Sequence, residues 1–113
     1  MTTAFRIQSA SRDVSELLDP AQQVSVSYTT DTERAGVSGC ESLESLAAYL
    51  VRAGVPFDVH SAVVTMRGPL SQDTPEDADL GEILIYPTEI VPVEPMTDRL
   101  ADLIDAAADA LYA

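Results

Sequence analysis

Lysine and asparagine are absent from the 113-residue chain, and cysteine and histidine each occur once. Without lysine the chain has no residue for Schiff-base catalysis or for the lysine contact of phosphate-binding loops. The single cysteine, Cys40, cannot form an internal disulfide, so we expect a reducing compartment, the cytoplasm. No apolar run approaches about 18 residues, and the N-terminal residues lack a basic and apolar leader pattern. We therefore expect neither a membrane span nor a signal peptide.

Motifs of the common enzyme and metal sites are also missing. The chain has no glycine-rich phosphate loop, no Cys/His metal pattern and no basic patch. The segment 36–40 has only a loose likeness to a nucleophile elbow, because its second glycine comes one position early. We therefore predict a protein that is not an enzyme and that uses neither a cofactor nor a metal.

One catalytic alternative stays open at this point. Cys40 precedes a predicted helix whose dipole would lower the thiol pKa, and Asp58 would orient His60 from two residues away on a strand. A nucleophile of this kind requires the three side chains to meet, and nothing in the sequence brings them together. Structural roles for Cys40 and His60 are the simpler interpretation.

Acidity is the outstanding property of the composition. Nineteen Asp and Glu face six Arg, which gives a formal net charge of −13. Such a chain repels nucleic acids and anionic membranes and attracts basic proteins and cations. The 15 alanines, together with the missing lysine and asparagine, are also typical of GC-rich coding, and a salt-adapted proteome has a similar composition. The charge alone does not separate a selected binding surface from a compositional bias.

Two helices are predicted, over 42–53 and 98–112. Ser42 and Thr97 are suitable N-caps, and Gly54 can take the left-handed position that ends the first helix. Each helix carries an apolar stripe of period 3.6. The stripes consist of Leu43, Leu46, Ala47, Leu50 and Val51 in the first helix, and of Leu100, Leu103, Ile104, Ala107 and Leu111 in the second.

Hydrophobic patterning predicts the strands. Alternation of apolar and polar residues predicts strands over Ala4–Gln8, Val24–Tyr28 and about Phe57–Arg67. Glu82–Tyr86 contains Ile83, Leu84, Ile85 and Tyr86 without alternation, which predicts a strand buried on both faces. The polar segment Thr30–Gly39 contains two glycines and predicts a loop.

The remaining segments complete an α+β domain. Short helical turns are predicted near 13–18, behind an aspartate cap, and near 75–80, behind a Thr-Pro pair. Three prolines within 87–95 cannot donate to a strand ladder, so this part predicts an edge strand, a bulge or an extended strap. Together the elements predict one α+β domain spanning 1–113, with two main helices packed on a sheet of about four strands.

Four aspartates form a row on the C-terminal helix: Asp98, Asp102, Asp105 and Asp109. Neighbours in this row lie roughly 5–6 Å apart along the axis, a spacing similar to that of phosphates along one nucleic-acid strand. Arg99 is the sole basic residue within 98–112. Because like charges at this spacing cost a few tenths of a kcal/mol each, the row favours a partner-binding surface; the alternative is an ordinary solvated helix face.

A second acidic group contains Asp73, Glu76, Asp77 and Asp79, followed by Glu82. Carboxylates of this density could bind Ca²⁺, but their spacing does not fit the twelve-residue EF-hand loop. We therefore assign the first four residues to partner binding and none to a metal. A third pair, Asp31 and Glu33, is predicted to be ordinary surface.

The leading functional hypothesis is a non-enzymatic interaction protein that binds and neutralises a basic protein, such as one that itself binds nucleic acid. Its sharper form is a nucleic-acid mimic or an immunity-type inhibitor, comparable with anti-restriction and anti-CRISPR proteins in size and charge alone. Direct contact with nucleic acid or membrane is not expected. The alternative is a structural or assembly subunit, of a phage particle or another homo-oligomer, that associates through the apolar segment 83–93.

Overall fold

The computed structural model describes residues 1–26, 33–58 and 60–112, and it shows the predicted α+β class. The helices are α1 (Leu43–Ala53) and α2 (Asp98–Tyr112). The strands are β1 (Thr2–Ser9), β2 (Val24–Val26), β3 (Glu33–Ala35), β4 (Val37–Gly39), β5 (Ser61–Gly68), β6 (Ile83–Ile85) and β7 (Glu89–Pro95). Short 3₁₀ turns cover Val14–Leu18, Pro20–Gln22 and Ala78–Leu80. None of the described helices is long and apolar enough to cross a membrane.

Both predicted helices are confirmed, with their caps. The Ser42 hydroxyl accepts a hydrogen bond from the backbone N–H of Ser45 at 3.0 Å, and α1 ends at Gly54 with φ of +67°. The Thr97 hydroxyl accepts from the N–H of Leu100 at 3.3 Å at the start of α2. These side chains satisfy donors that the first helical turn leaves without a partner.

The described strands form three antiparallel sheets rather than one sheet of about four strands. Their orders are β1–β5–β7, β2–β3 and β4–β6. Two backbone hydrogen bonds between Phe5 and Cys40, of 2.7 and 2.8 Å, join β1 to the end of β4. On the other side, Pro69 and Ser71 pair with the chain around β6 directly after β5 ends. Backbone hydrogen bonds therefore connect β5 to β1, β1 to the end of β4, β4 to β6, and β6 to the residues directly after β5. These connections form a closed path.

Two apolar clusters fill the spaces that this arrangement creates. The helices cover one face of the β1–β5 pair, where the buried residues are Cys40, Leu46, Ala47, Leu50, Val63, Leu100 and Ile104. The opposite face is enclosed by β4, β6 and the first 3₁₀ turn, where the buried residues are Ala4, Leu17, Val37, Val64, Met66 and Ile85. Each fully buried leucine side chain contributes about 1.5–3 kcal/mol, so the apolar stripes hold α1 and α2 on the sheet.

The predicted loop over Thr30–Gly39 is wrong within the described residues, because Glu33–Ala35 and Val37–Gly39 are strands. Gly36 lies between them with φ of +109°, a conformation that glycine adopts without strain. Pairing with distant β6 stabilises β4, and local polarity does not report such pairing. The predicted strand Val24–Tyr28 is confirmed over Val24–Val26; its other residues, like Asp31, lie outside the described residues.

Other boundaries also shift. The strand predicted over Phe57–Arg67 begins only at Ser61. The turn predicted over 75–80 begins at Ala78 rather than at its Thr-Pro pair. The turn over 13–18 is confirmed, since the carboxylate of Asp13 accepts from the N–H of Ser15 at 2.9 Å. The proline-rich segment forms β7, at the edge of its sheet and with an irregular register, as predicted.

Candidate functional site

The acidic row on α2 faces away from the core. Asp98, Asp102, Asp105 and Asp109 are all exposed, and at 3.6 residues per turn they lie within an arc of about 60°. Leu100, on the opposite side of the helix, is fully buried. The sequence-predicted row is therefore a continuous strip of carboxylates directed to solvent, which we call the α2 acidic face.

The basic residue of α2 does not neutralise this face. Arg99 reaches α1 instead, where its Nη2 lies 3.0 Å from Oε1 of Glu44. Hydrogen bonds from its own backbone N–H and from Arg99 hold the pKa of Glu44 below its usual value. Among the described residues, no ion pair involves any of the four α2 aspartates. Their negative charges therefore add to one another without an internal counterion.

The second acidic group contains both exposed and half-buried carboxylates. Glu76 and Asp79 are exposed, whereas Asp73 and Asp77 are half-buried. Oδ2 of Asp73 accepts a hydrogen bond of 2.7 Å from the backbone N–H of Ala35 and so supports β3. The 3₁₀ turn at Ala78–Leu80, which follows Asp77 and contains Asp79, packs on α1, as does α2.

Glu82 is a buried carboxylate that joins three segments. Its Oε2 accepts from the hydroxyl of Ser38 on β4 at 2.5 Å and from that of Tyr49 on α1 at 3.4 Å. Its Oε1 accepts from the backbone N–H of Asp77 at 2.9 Å. These donors account for both oxygens of a residue that is only 8% exposed, so Glu82 has a structural role. Within the described residues, no group of three His, Cys, Asp or Glu side chains is placed to hold a metal ion.

Negative charge accumulates around Asp77. Burial raises the pKa of its carboxyl group above 3.8, and the carboxylates of Glu82, Glu76 and Asp79 raise it further. Burial also raises the pKa of the Tyr49 hydroxyl, again with a contribution from Glu82. The Asp77 carboxyl group therefore binds a proton more readily in the folded protein than in the unfolded chain.

We expect Asp77→Asn to stabilise the protein at neutral pH by on the order of 0.5 kcal/mol, a typical size for partly exposed charges. Because folding raises the pKa of Asp77, its ionised form weakens the folded state. This loss of folding stability appears as pH rises through the pKa of Asp77 in the folded protein. It is absent below 3.8, the pKa of the group in the unfolded chain. Urea unfolding of the wild type and the variant at pH 7 and near pH 3 measures the gain in stability at neutral pH and its absence in acid. The exposed Glu94→Gln on β7 is the control for net charge; an equal gain in both variants would contradict the prediction.

Cys40 lies in the core, in keeping with the structural role that is the simpler interpretation of its sequence. The thiol is fully buried, and burial, with a smaller contribution from Glu82, raises its pKa to about 12. The helix dipole therefore does not activate it. His60 is exposed, and the Asp58 carboxylate accepts from its backbone N–H at 2.8 Å rather than orienting the imidazole. Among the described residues, no hydrogen bond joins Cys40 to His60, so the structure gives no support to the predicted alternative of a Cys–His–Asp nucleophile.

We expect Cys40 to be unreactive in the folded protein. A protonated, enclosed thiol reacts with a disulfide reagent only after unfolding exposes it. Labelling with Ellman's reagent should therefore be slow in buffer and immediate in concentrated urea, with the slow rate increasing as urea approaches the unfolding midpoint. Rapid labelling in buffer alone would show that the thiol is accessible and would contradict its assignment to the core.

Comparison of the chain with family models, with curated proteins and with solved structures found no match in any of the three.

The roles of Tyr49 and Ser38 were not predicted from the sequence. Tyr49 lies off the apolar stripe of α1, which is a weak signal for a polar contact, but its partner Glu82 is 33 residues away in sequence. Ser38 is 44 residues from the same partner and lies in a segment predicted as a loop. No local pattern indicates either contact.

Proposed function

We propose that this protein binds and neutralises a basic protein, and that the α2 acidic face is the contact. The observation that carries the proposal is the exposure of four aspartates on one helix face without an ion pair among the described residues. A row of fixed carboxylates attracts a groove lined with lysine and arginine, and it raises the association rate and the specificity of binding. The proposed partner is a nucleic-acid-binding protein, whose groove already accommodates a row of anions.

The geometry of the helix supports this proposal. An α-helix holds side chains at fixed spacing, and α2 is fixed on the protein through buried Leu100 and Ile104. The exposed residues Ala106 and Ala110 are small, and the bulkier Arg99 is engaged with Glu44 of α1, so the row is open to a partner. Binding therefore requires little ordering of the surface, which lowers the entropic penalty of association.

The test compares two variants with the same net charge. The α2 variant replaces Asp98, Asp102, Asp105 and Asp109 with asparagine. The control variant replaces four exposed glutamates elsewhere with glutamine: Glu33, Glu41, Glu89 and Glu94. Tagged wild-type protein and both variants are used to capture proteins from native lysate at about 0.1 M and about 0.5 M salt, since the higher salt shortens the screening length to well below 10 Å.

A basic protein captured by the wild type and the control variant, but not by the α2 variant, would support the proposal. Loss in both variants would show that capture reports net charge alone. Equal capture by all three proteins would show that the α2 acidic face is not the contact. Circular dichroism of both variants confirms that the comparison is made between folded proteins.

A second candidate function is assembly through β7. This strand is at the edge of the β1–β5–β7 sheet, and Val91 and Val93 on it are about half exposed, at 50% and 46%. An exposed edge with apolar side chains can pair with another chain. Pro92 and Pro95 lack backbone donors and limit such pairing. Sedimentation from about 1 to 100 µM tests this candidate, because self-assembly through the segment 83–93 requires concentration-dependent association.

A further inference from the structure

Arg99 and Glu44 form an ion pair between the two helices. Nη2 of Arg99 on α2 lies 3.0 Å from Oε1 of Glu44 on α1. The two side chains are 67% and 59% exposed, and an ion pair so close to solvent adds little to folding stability. What the pair does determine is the position of the sole basic side chain of α2.

Arg99 has a second carboxylate within reach on its own helix. Residues three positions apart on a helix are neighbours, and opposite charges at this spacing attract one another. Asp102 stands three positions after Arg99 and is exposed, so it competes with Glu44 for the guanidinium. The structure pairs Arg99 with Glu44, and no ion pair within the described ranges joins Arg99 to Asp102.

The position of Glu44 on α1 suits it to hold Arg99. Glu44 lies in the first turn of α1, where the helix dipole stabilises a negative charge. Its carboxylate accepts hydrogen bonds from its own backbone N–H and from Arg99. Asp102 lies beyond the first turn of α2, where the dipole effect has declined. The carboxylate of Glu44 is therefore held beside α2 as an acceptor for Arg99.

We propose that Glu44 keeps the α2 acidic face without a counterion by holding Arg99 away from it, an inference that rests on the proposed function. Glu44 is a positioning residue in this role and acts through Arg99 rather than through contact with the partner. Without the Glu44 carboxylate, the guanidinium of Arg99 pairs with Asp102 and weakens the negative field along the row. A basic partner is then attracted less strongly.

The test measures the field at α2 directly, with paramagnetic probes in place of the partner. The cation aminomethyl-PROXYL and the neutral carbamoyl-PROXYL are each added to the ¹⁵N-labelled full chain at about 0.1 M salt. The ratio of the two relaxation enhancements at an amide proton reports how strongly that position attracts a cation. Residues 98–106 are compared in the wild type, in Glu44→Gln, in Arg99→Gln and in the variant with both substitutions.

The Arg99→Gln background separates two effects of Glu44→Gln. Loss of the Glu44 charge lowers cation enrichment by the same factor with or without Arg99, because the potentials of fixed charges add. Movement of Arg99 lowers it further only where Arg99 is present. We expect Glu44→Gln to lower cation enrichment at 98–106 by about twofold in the wild type and by no more than about 1.3-fold in the Arg99→Gln background. Equal factors in the two backgrounds would overturn the inference.

Glu41→Gln is the matched control, because Glu41 is exposed near the same end of α1 and forms no ion pair within the described part of the chain. Its small effect should be the same with and without Arg99. A larger effect in the presence of Arg99, as great as that of Glu44→Gln, would show that Arg99 responds to general charge and would overturn the specific role of Glu44.

Failure of this inference is distinguishable from failure of the proposed function. If Glu44→Gln acts equally in both backgrounds while the α2 variant loses the captured partner, the proposed function stands and the role of Glu44 is overturned. If the α2 variant keeps the partner, the proposed contact is wrong even where the probes show that Arg99 moves. A twofold loss of cation enrichment that depends on Arg99, together with loss of the partner in the α2 variant, supports the proposal in full.

Discussion

Replacing Asp98, Asp102, Asp105 and Asp109 with asparagine should lower the association rate constant with the basic partner by about tenfold or more at about 0.1 M salt. The four carboxylates form one strip, and none has an ion pair among the described residues, so their fields add in front of α2. Stopped-flow or surface-plasmon measurements of the rate constant check the prediction. The dissociation rate should change less, because exposed charges act mainly on encounter.

The control variant at Glu33, Glu41, Glu89 and Glu94 separates position from charge. It raises the net charge by the same four units but leaves the α2 acidic face intact. Its association rate should fall by no more than about threefold, which we attribute to the general field of the protein. Equal decreases in the two variants would mean that the partner responds to overall acidity, and the α2 acidic face would lose its assigned role.

Replacing Gly68 with alanine should destabilise the fold by on the order of 3 kcal/mol. An added Cβ would overlap the backbone carbonyl of Tyr86 and press against Pro87. These atoms cannot move independently, because the N–H of Tyr86 donates to the carbonyl of Pro69 at 2.8 Å where β5 meets the β6 segment. Urea unfolding monitored by circular dichroism measures the loss.

Gly54→Ala is the matched control for this prediction. A Cβ at Gly54 meets nothing within 4 Å, but its φ of +67° is unfavourable for alanine. The expected loss is about 1 kcal/mol, from backbone conformation alone. Equal losses in Gly54→Ala and Gly68→Ala would show that the strands near Tyr86 yield easily, contrary to the closed strand path described above.

The parts of the fold that were predictable are those with local causes. Helix α1 follows from a cap, a stripe and a terminal glycine within thirteen residues, 42–54, and the structure has each of them. Strands β3 and β4 were missed because their stability comes from pairing across the chain, as between Val37 and Ile85. The polarity of a segment indicates whether its side chains are exposed. It does not indicate whether a distant strand supplies hydrogen bonds to the backbone of that segment.

The same distinction applies to the candidate site. The α2 acidic face was predictable because helical periodicity alone places four aspartates on one side. The hydrogen bonds of buried Glu82 were not predictable, because two of their donors are hydroxyl groups 33 and 44 residues away. The half-burial of Asp77 likewise follows from how its segment packs on α1. The sequence therefore indicates the surface charges, and the structure is needed to show which carboxylates the fold encloses.

The most direct test of the central claim is to map the contact on the partner-bound protein by NMR. Unlabelled partner from the capture experiment is added to the ¹⁵N-labelled chain at about 0.1 M salt. We predict that the largest signal losses occur at residues 98–109 of α2. Signal losses concentrated on β7, at 89–95, with α2 unchanged would contradict the account and would favour assembly through that edge.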